Sequence, residues 1–373
     1  MKENNLYERY NRQIILKGFG AEAQYKLMEA KVLVIGAGGL GCPTLQYLVG
    51  AGVGTIGIAD NDVVTLSNLH RQVLYTTDDI GLLKAEVAAT KLRRVNDDVT
   101  INVYSQRLQT NNALDIISKY DLVIDGTDNF TSRYIINDAC VLLKKPLIYG
   151  AVSRYEGQVS VFNVSCINKK GVNYRDLFPT PPKDGEVMNC AEGGVLGMLP
   201  GIVGAMQATE AVKLLTDIGT PLINKLLTYD ILTHETYIVE LSPSQAESEL
   251  LPKTEAQFLA MDYVDSCKKK QNRVTEISAA EFHQLRKKDS ATVIDVREDW
   301  ETPLIGSFEH KKIPMSVFNE HMPGIEAETI ILFCQHGIRS LYAAELVHDH
   351  FGEAKKVYSL KGGLVKWSDE LAL

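Results

Sequence analysis

Lys31-Val-Leu-Val-Ile35-Gly36-Ala37-Gly38-Gly39-Leu40-Gly41 is an apolar run that breaks into four glycines within six positions. Val32 to Ile35 offer no polar face, as a strand buried on both sides of a parallel sheet requires. Gly36, Gly38 and Gly41 fit G-x-G-x-x-G, with Gly39 inside it. In that pattern the first glycine permits a tight turn, the second lets phosphate approach the backbone, and the third lets the next helix pack close to the strand. Free N–H groups and the positive dipole end at that helix N-terminus favour an anion. The stretch predicts strand, turn and helix around a nucleotide phosphate, in an α/β doubly wound (Rossmann-like) fold. It does not say which nucleotide.

A chain of 373 residues exceeds the size at which single cores stop growing, so two domains are expected. A formal charge of -8 gives no footprint for nucleic acid or an anionic membrane, and neither is expected as a partner. Met1 to Gly20 has charged residues and no apolar core, unlike a secretory signal. The apolar stretch Gly193 to Ala208 is short for a membrane span. Six dispersed cysteines, at 42, 140, 166, 190, 267 and 334, suit reduced thiols. Together these features predict a cytoplasmic protein.

Residues 6–30 read as a helical lead-in carrying Arg9 and Arg12. Beyond the glycine loop, Pro43 to Val49 continues as helix and Gly54 to Asp60 reads as a second strand ending in a carboxylate. Asp60 sits where a dinucleotide fold places an acid on the ribose, which fits an NAD enzyme equally well. The next segment breaks the tie. Asp60-Asn-Asp62 leads through Ser67-Asn68-Leu69-His-Arg71-Gln72 to Gly81-Leu-Leu-Lys84 and an amphipathic helix, Lys84 to Val95. Strands follow at Thr100 to Tyr104 and at Asp121 to Asp125, the second ending in Gly126-Thr127-Asp128-Asn129. Hydride transfer gains little from clustered cations. Chemistry at phosphate needs positive charge where charge develops, and a carboxylate for magnesium. Arg71, Lys84 and Asp128 supply that set if they converge.

In register from about residue 6 to 242, these motifs resemble the adenylyltransferases that activate ubiquitin-like sulfur-carrier proteins. The carrying pieces are Arg9-Tyr-Asn-Arg12-Gln, the glycine loop, Asp60-x-Asp62, Ser67-Asn68-Leu69-x-Arg71-Gln72, Gly81-x-x-Lys84 and Thr127-Asp128-Asn129. The family comprises the molybdopterin-synthase and thiamine-biosynthesis activating enzymes, relatives of ubiquitin-activating enzymes. The resemblance implies that Asp60, with Asp62 beside it, holds the ATP ribose. It further implies that Asn68, Arg71, Gln72 and Lys84 hold the phosphates and that Asp128 binds Mg2+. Arg12 would reach the triphosphate of a partner subunit, making a homodimer.

From Tyr149 the pattern alternates as in half-buried strands, and Phe178 to Gly185 reads as a loop. Cys190 sits where many of these enzymes carry a cysteine that can bond to the carrier's tail; a buried, packed thiol is the other reading. Gly193, Gly197, Gly201 and Ala205 recur every fourth residue, predicting a smooth helix face for core or dimer packing. Many relatives hold structural zinc through two C-x-x-C pairs. Here the first place reads Val172-Asn-Tyr-Arg175-Asp and the chain has no C-x-x-C, so no zinc is expected.

The expected division is an adenylyltransferase domain at 1–242, a linker at 243–274 with one helix at Glu255 to Tyr263, and a second domain at 275–373. Ser278-Ala-Ala-Glu281 is a capping-box pattern. Ala291 to Asp295 and Glu328 to Cys334 read as strands, and the second runs straight into Gln335-His336-Gly337-Ile338-Arg339-Ser340 and a helix. A thiol at a strand end, facing loop N–H groups and Arg339, is in the setting that lowers a cysteine pKa from ~8.5 to ~3.5–7.5 and yields an ionised nucleophile in an open site; a core cysteine ending a buried strand is the other reading. Residues 275–373 resemble rhodanese sulfurtransferases through Asp295-Val-Arg297-Glu298, the six-residue loop from Cys334 to Arg339, and Lys361-Gly-Gly363-x-x-x-Trp367. The usual His-Ile-x-Gly-Ala segment is altered to Ile305-Gly306-Ser-Phe-Glu-His.

The two resemblances together imply a two-step enzyme. ATP would adenylate the C-terminal carboxylate of a ubiquitin-like carrier ending Gly-Gly. Sulfur from a Cys334 persulfide, loaded by a donor such as a cysteine desulfurase and passed directly or through Cys190, would then give a thiocarboxylate. An NAD-dependent oxidoreductase with an appended sulfur-handling domain, and a catalytically idle scaffold, are the alternatives; Arg71, Lys84 and Asp128 weigh against both.

Overall fold

The computed structural model describes residues 3–165, 170–180, 194–244, 250–263, 274–288 and 290–371, and Cys190 lies outside them. The described residues up to 263 form one compact unit and those from 274 another.

The first unit begins with helices α1 (Glu3–Ile14) and α2 (Gly20–Glu29), then alternates strand and helix: β1 (Lys31–Ile35), α3 (Gly41–Ala51), β2 (Thr55–Ala59), α4 (Lys84–Val95), β3 (Thr100–Tyr104), α5 (Thr110–Ser118), β4 (Leu122–Asp125), α6 (Phe130–Leu142) and β5 (Leu147–Ser153). After β6 (Glu156–Phe162), the short α7 (Tyr174–Leu177) and α8 (Met198–Thr216), β7 (Lys225–Asp230) and β8 (Thr236–Glu240) complete a sheet ordered β3-β2-β1-β4-β5-β6-β7-β8. Strands β3 to β5 in that order are parallel, and β6 to β8 are antiparallel. Side chains of β1 alternate between two cores. Val32 and Val34 join one with Leu45 and Val203, and Leu33 and Ile35 join the other with Tyr134 and Phe162. This is why the run shows no polar face.

In the glycine stripe, Gly193 lies outside the described residues. A Cβ on Gly197 would lie 2.4 Å from the His70 carbonyl, while Gly201 faces open space; beside the stripe, a Cβ on Gly204 would lie 2.4 Å from the Leu40 carbonyl at the start of α3. The segment expected as linker also contributes to the first core. Thr254 caps α9 (Glu255–Ala260), whose Phe258 is fully buried, and Tyr263 donates to Asp138 at 2.8 Å. Burial of those two rings carries the first unit past residue 242.

In the second unit, β9 (Thr275–Ile277), α10 (Ala279–Leu285), β10 (Ala291–Asp295), β11 (Lys311–Lys312), α11 (Phe318–His321), β12 (Thr329–Phe333), α12 (Ile338–Phe351), β13 (Lys356–Leu360) and α13 (Gly363–Leu371) follow one another. Its parallel sheet runs β11-β10-β12-β13-β9. The capping box at Ser278 and Glu281 is formed. No helix among the described residues is long and apolar enough to cross a membrane.

Candidate functional site

The order of the parallel strands reverses between β1 and β4, and the C-terminal ends of such strands leave a crevice there. The glycine loop turns into it. Gly36 has φ +93°, and a Cβ there would meet the Gly126 carbonyl at 2.7 Å, so the turn out of β1 tolerates no side chain. A Cβ on Gly41 would lie 1.9 Å from the Gly36 carbonyl, which pins the start of α3 to the loop. The crevice is a cavity of 380 Å³, within the range of small-molecule sites.

Gly36, Gly38, Gly39, Asp60, Asp62, Arg71, Gln72, Lys84 and Asp128, scattered over more than ninety positions, all line it. Asp60 ties the wall together, its two carboxylate oxygens accepting from the Ala37 N–H at 2.7 Å and the Asp62 N–H at 2.8 Å. Burial raises the Asp60 carboxyl above the usual range, against the pull of Lys84 and these two donors. Lys84 is 5% exposed and directs its amine to Asp62 at 3.1 Å. Arg71 donates to the Ser67 carbonyl at 3.0 Å, and Gln72 buries its side-chain oxygen with no hydrogen-bond partner among the described residues. Asp128 is exposed at the cavity. A wall that combines cations with a free carboxylate fits a triphosphate with its metal ion.

Other expected members lie elsewhere. The Asn68 side chain is not in the lining; its carbonyl accepts from the Arg71 and Gln72 N–H groups and shapes the turn that presents them. Arg12 is exposed on α1 and outside this cavity, because Leu6, Tyr10 and Ile14 seat the opposite face of the helix. Two cations of the lining were not anticipated. Arg107, just past β3, could have been found from its place at the C-terminal edge of a parallel strand. Arg133 lies one turn into α6 from the Asn129 cap, on the same helix face. It is largely buried, donates to the carbonyls of Thr127 at 3.0 Å and Gly150 at 3.4 Å, and stacks 5.3 Å from the Tyr149 ring. Asp125 beneath it is buried, which raises its carboxyl above the usual range while Arg133 opposes the shift.

Where the resemblance assigns the first zinc pair, residues 172–178 supply no thiolate or imidazole. Arg175 instead makes two bonds to Asp138, at 2.8 and 2.7 Å, inside the protein. These donors do not fit a zinc ion.

In the second unit, Cys334 ends β12 and its Sγ accepts from the N–H groups of Gly337 at 3.2 Å and Ser340 at 3.4 Å. Gly337, at φ +86°, turns the loop into α12. Two expectations change here. Cys334 is 1% exposed, so the thiol lies beneath its loop and not in an open site. Arg339 pairs through both terminal nitrogens with Glu301, which takes its guanidinium as a direct ion-pair partner. Asp295 and Arg297 form a second ion pair, each 1% exposed, at the end of β10.

Comparison with known proteins agrees with both halves. The profile described as ThiF family matches residues 10–250, and that of a rhodanese-like domain matches residues 278–370. A probable adenylyltransferase/sulfurtransferase MoeZ of Mycobacterium tuberculosis is 40% identical over 369 residues, covering 97% of this chain and 93% of that one. The sulfur carrier protein adenylyltransferase of Thermus thermophilus is 53% identical over 226 residues, 60% of this chain and 83% of its own. An adenylyltransferase and sulfurtransferase MOCS3 of Arabidopsis thaliana is 35% identical, covering 96% and 83%. Among solved structures, E. coli MccB with MccA-N7isoASN aligns with a TM-score of 0.56 at 22% identity over 65% of this chain and 73% of that one, a likeness of fold.

Proposed function

The chain belongs to the ThiF family and carries a rhodanese-like domain, and from that premise we propose that its two units run consecutive steps on one carrier protein. It is an adenylyltransferase and a sulfurtransferase. In the first step the C-terminal carboxylate of a ubiquitin-like carrier ending Gly-Gly attacks the α-phosphorus of ATP. The bond to pyrophosphate breaks, and an acyl-adenylate forms. Asp60 and Asp62 hold the ribose end, while Lys84, Arg71 and Gln72 hold the phosphates, Asn68 shaping the turn that presents Arg71 and Gln72 and the glycine loop giving backbone access. The cations neutralise pyrophosphate as it leaves. Asp128 would hold Mg2+, which when bound offsets phosphate charge.

In the second step the terminal sulfur of a Cys334 persulfide attacks the acyl carbon and expels AMP, leaving an acyl disulfide. A second thiol, Cys190 in this reading, attacks the Cys334 sulfur and frees the thiocarboxylate, leaving a disulfide between the two cysteines that an external dithiol reductant returns to thiols. A persulfide-bearing protein such as a cysteine desulfurase reloads Cys334. The N–H groups of Gly337 and Ser340 suit a sulfur anion at that place.

The reading further makes the enzyme a homodimer in which Arg12 serves the partner's cavity. Its support is the exposure of four large apolar side chains, Leu66, Val73, Leu82 and Met198, each a few residues in sequence from one that lines the site.

The observation that carries the proposal is the convergence of Lys84, Arg71, Asp60 and Asp128 on the glycine-loop cavity. Exchange of labelled pyrophosphate into ATP tests it. Exchange should require a Gly-Gly carrier; its absence with every such carrier, or tight binding of NAD in place of ATP, sinks the first step.

A further inference from the structure

Thr127 immediately precedes the cavity carboxylate Asp128, and it is gripped from two sides. Asp125 accepts from its N–H at 2.9 Å and its hydroxyl at 2.6 Å. Arg133 takes its carbonyl at 3.0 Å and reaches the Gly150 carbonyl on β5 at 3.4 Å. The guanidinium is held in place by the rings of Tyr149 at 5.3 Å and Phe130 at 6.0 Å, and its Nε lies 3.9 Å from Asp125. Every polar group of Thr127 is therefore tied to the buried floor, while the next side chain stays exposed at the cavity.

We propose that Arg133 is a positioning residue for adenylation: by fixing the Thr127 carbonyl against β5 it sets the Thr127–Asp128 turn, and so the direction in which Asp128 meets the metal-bound triphosphate. One nitrogen of the guanidinium, Nη2, donates to both carbonyls, the first in the loop after β4 and the second on β5. Through Gly150 that nitrogen couples the turn to β5, whose Val152 also lines the cavity. This inference rests on the reading that ATP binds here with Mg2+.

The test is calorimetric binding of α,β-methylene ATP to the full chain, with and without Mg2+. The parent should bind more tightly with the metal. Arg133→Gln should lose most of the metal-dependent gain and a smaller share of the metal-free affinity, and Arg133→Lys should restore part of the gain. Because Arg133→Gln strands the charge of Asp125, an Asp125→Asn/Arg133→Gln double variant removes both buried charges. It should melt close to the parent and still lack the gain. A folded variant that keeps the gain overturns the role of Arg133, as does one that loses metal-free affinity in equal proportion. A parent with no gain overturns the metal reading itself, and the inference with it.

Discussion

Replacing Asp138 by Ala should destabilise the first unit more than any exposed substitution. The carboxylate is fully buried and accepts from Arg175 Nε at 2.8 Å, Arg175 Nη2 at 2.7 Å, Tyr263 at 2.8 Å and Asn137 at 3.0 Å. These bonds join α6, α7 and the stretch after α9; Asp176, which accepts from the Ser244 N–H at 2.8 Å, adds a further tie. A network around an ion pair thus spans the three segments. Removing one partner leaves the Arg175 guanidinium buried without its counter-charge, which costs about 3–5 kcal/mol. At roughly 2–4 °C per kcal/mol for a unit of this size, the melting transition should fall by about 6–20 °C. Far-UV circular dichroism or calorimetry should be used, because both tryptophans, Trp300 and Trp367, lie in the second unit. An Asp138→Ala/Arg175→Met variant removes both charges and should regain most of the loss, while a chelator should leave the parent's transition in place. A single variant melting within ~2 °C of the parent would refute the reasoning, and so would a parent that a chelator unfolds.

Two further outcomes follow from the sites. Lys84→Met removes the buried amine of the cavity, and carrier-dependent pyrophosphate exchange should drop by about 10²–10³, the usual cost of one donor at developing charge; a smaller loss than tenfold would take Lys84 off the phosphates. In the second unit, burial would raise the Glu301 carboxyl, but the bonded Arg339 guanidinium and the Glu298 N–H outweigh it and hold it below the usual range. A depressed carboxyl stabilises the fold fully above its unfolded value of ~4.3 and loses that contribution as pH falls through the folded value. Tryptophan-monitored unfolding of Glu301→Gln should therefore differ from the parent near neutrality and converge with it in acid, once pH has fallen through the depressed folded value; a difference that persists beyond that would exclude the ion pair as its source.

Legibility in the sequence followed the range of the interactions. The glycine loop, the buried run of β1, the α4 boundaries and the Ser278 capping box are set by neighbours within a few residues, and each stands where the chain predicted it. Asp60, Arg71, Lys84 and Asp128 stood out because chemistry at phosphate needs those charges and the motifs resemble a known family, and loops at the C-terminal edge of parallel strands bring them to one cavity. Pairs formed across the fold left no such trace. Glu301 is 38 positions from Arg339, and nothing in either segment announces the other. Arg133 was hidden because α6 buries residues Ser132 to Cys140 in succession, so no polar face marks a functional side chain. Phe258 and Tyr263 sit in a segment too short to show a period, although their rings complete a core. The glycine stripe was legible in part for a related reason: spacing gives a helix face, but only the surface packed on it decides which glycine touches, as Gly197 does and Gly201 does not.

The central claim is that an acyl-adenylate made in the glycine-loop cavity receives its sulfur from Cys334. Intact-mass analysis of a Gly-Gly carrier incubated with the enzyme, MgATP and a persulfide donor tests it most directly, with Cys334→Ser run alongside. The account predicts a mass gain of one oxygen-for-sulfur exchange with the parent, and none with Cys334→Ser although that variant still exchanges pyrophosphate. Thiocarboxylate formed at the parental rate by Cys334→Ser would contradict it.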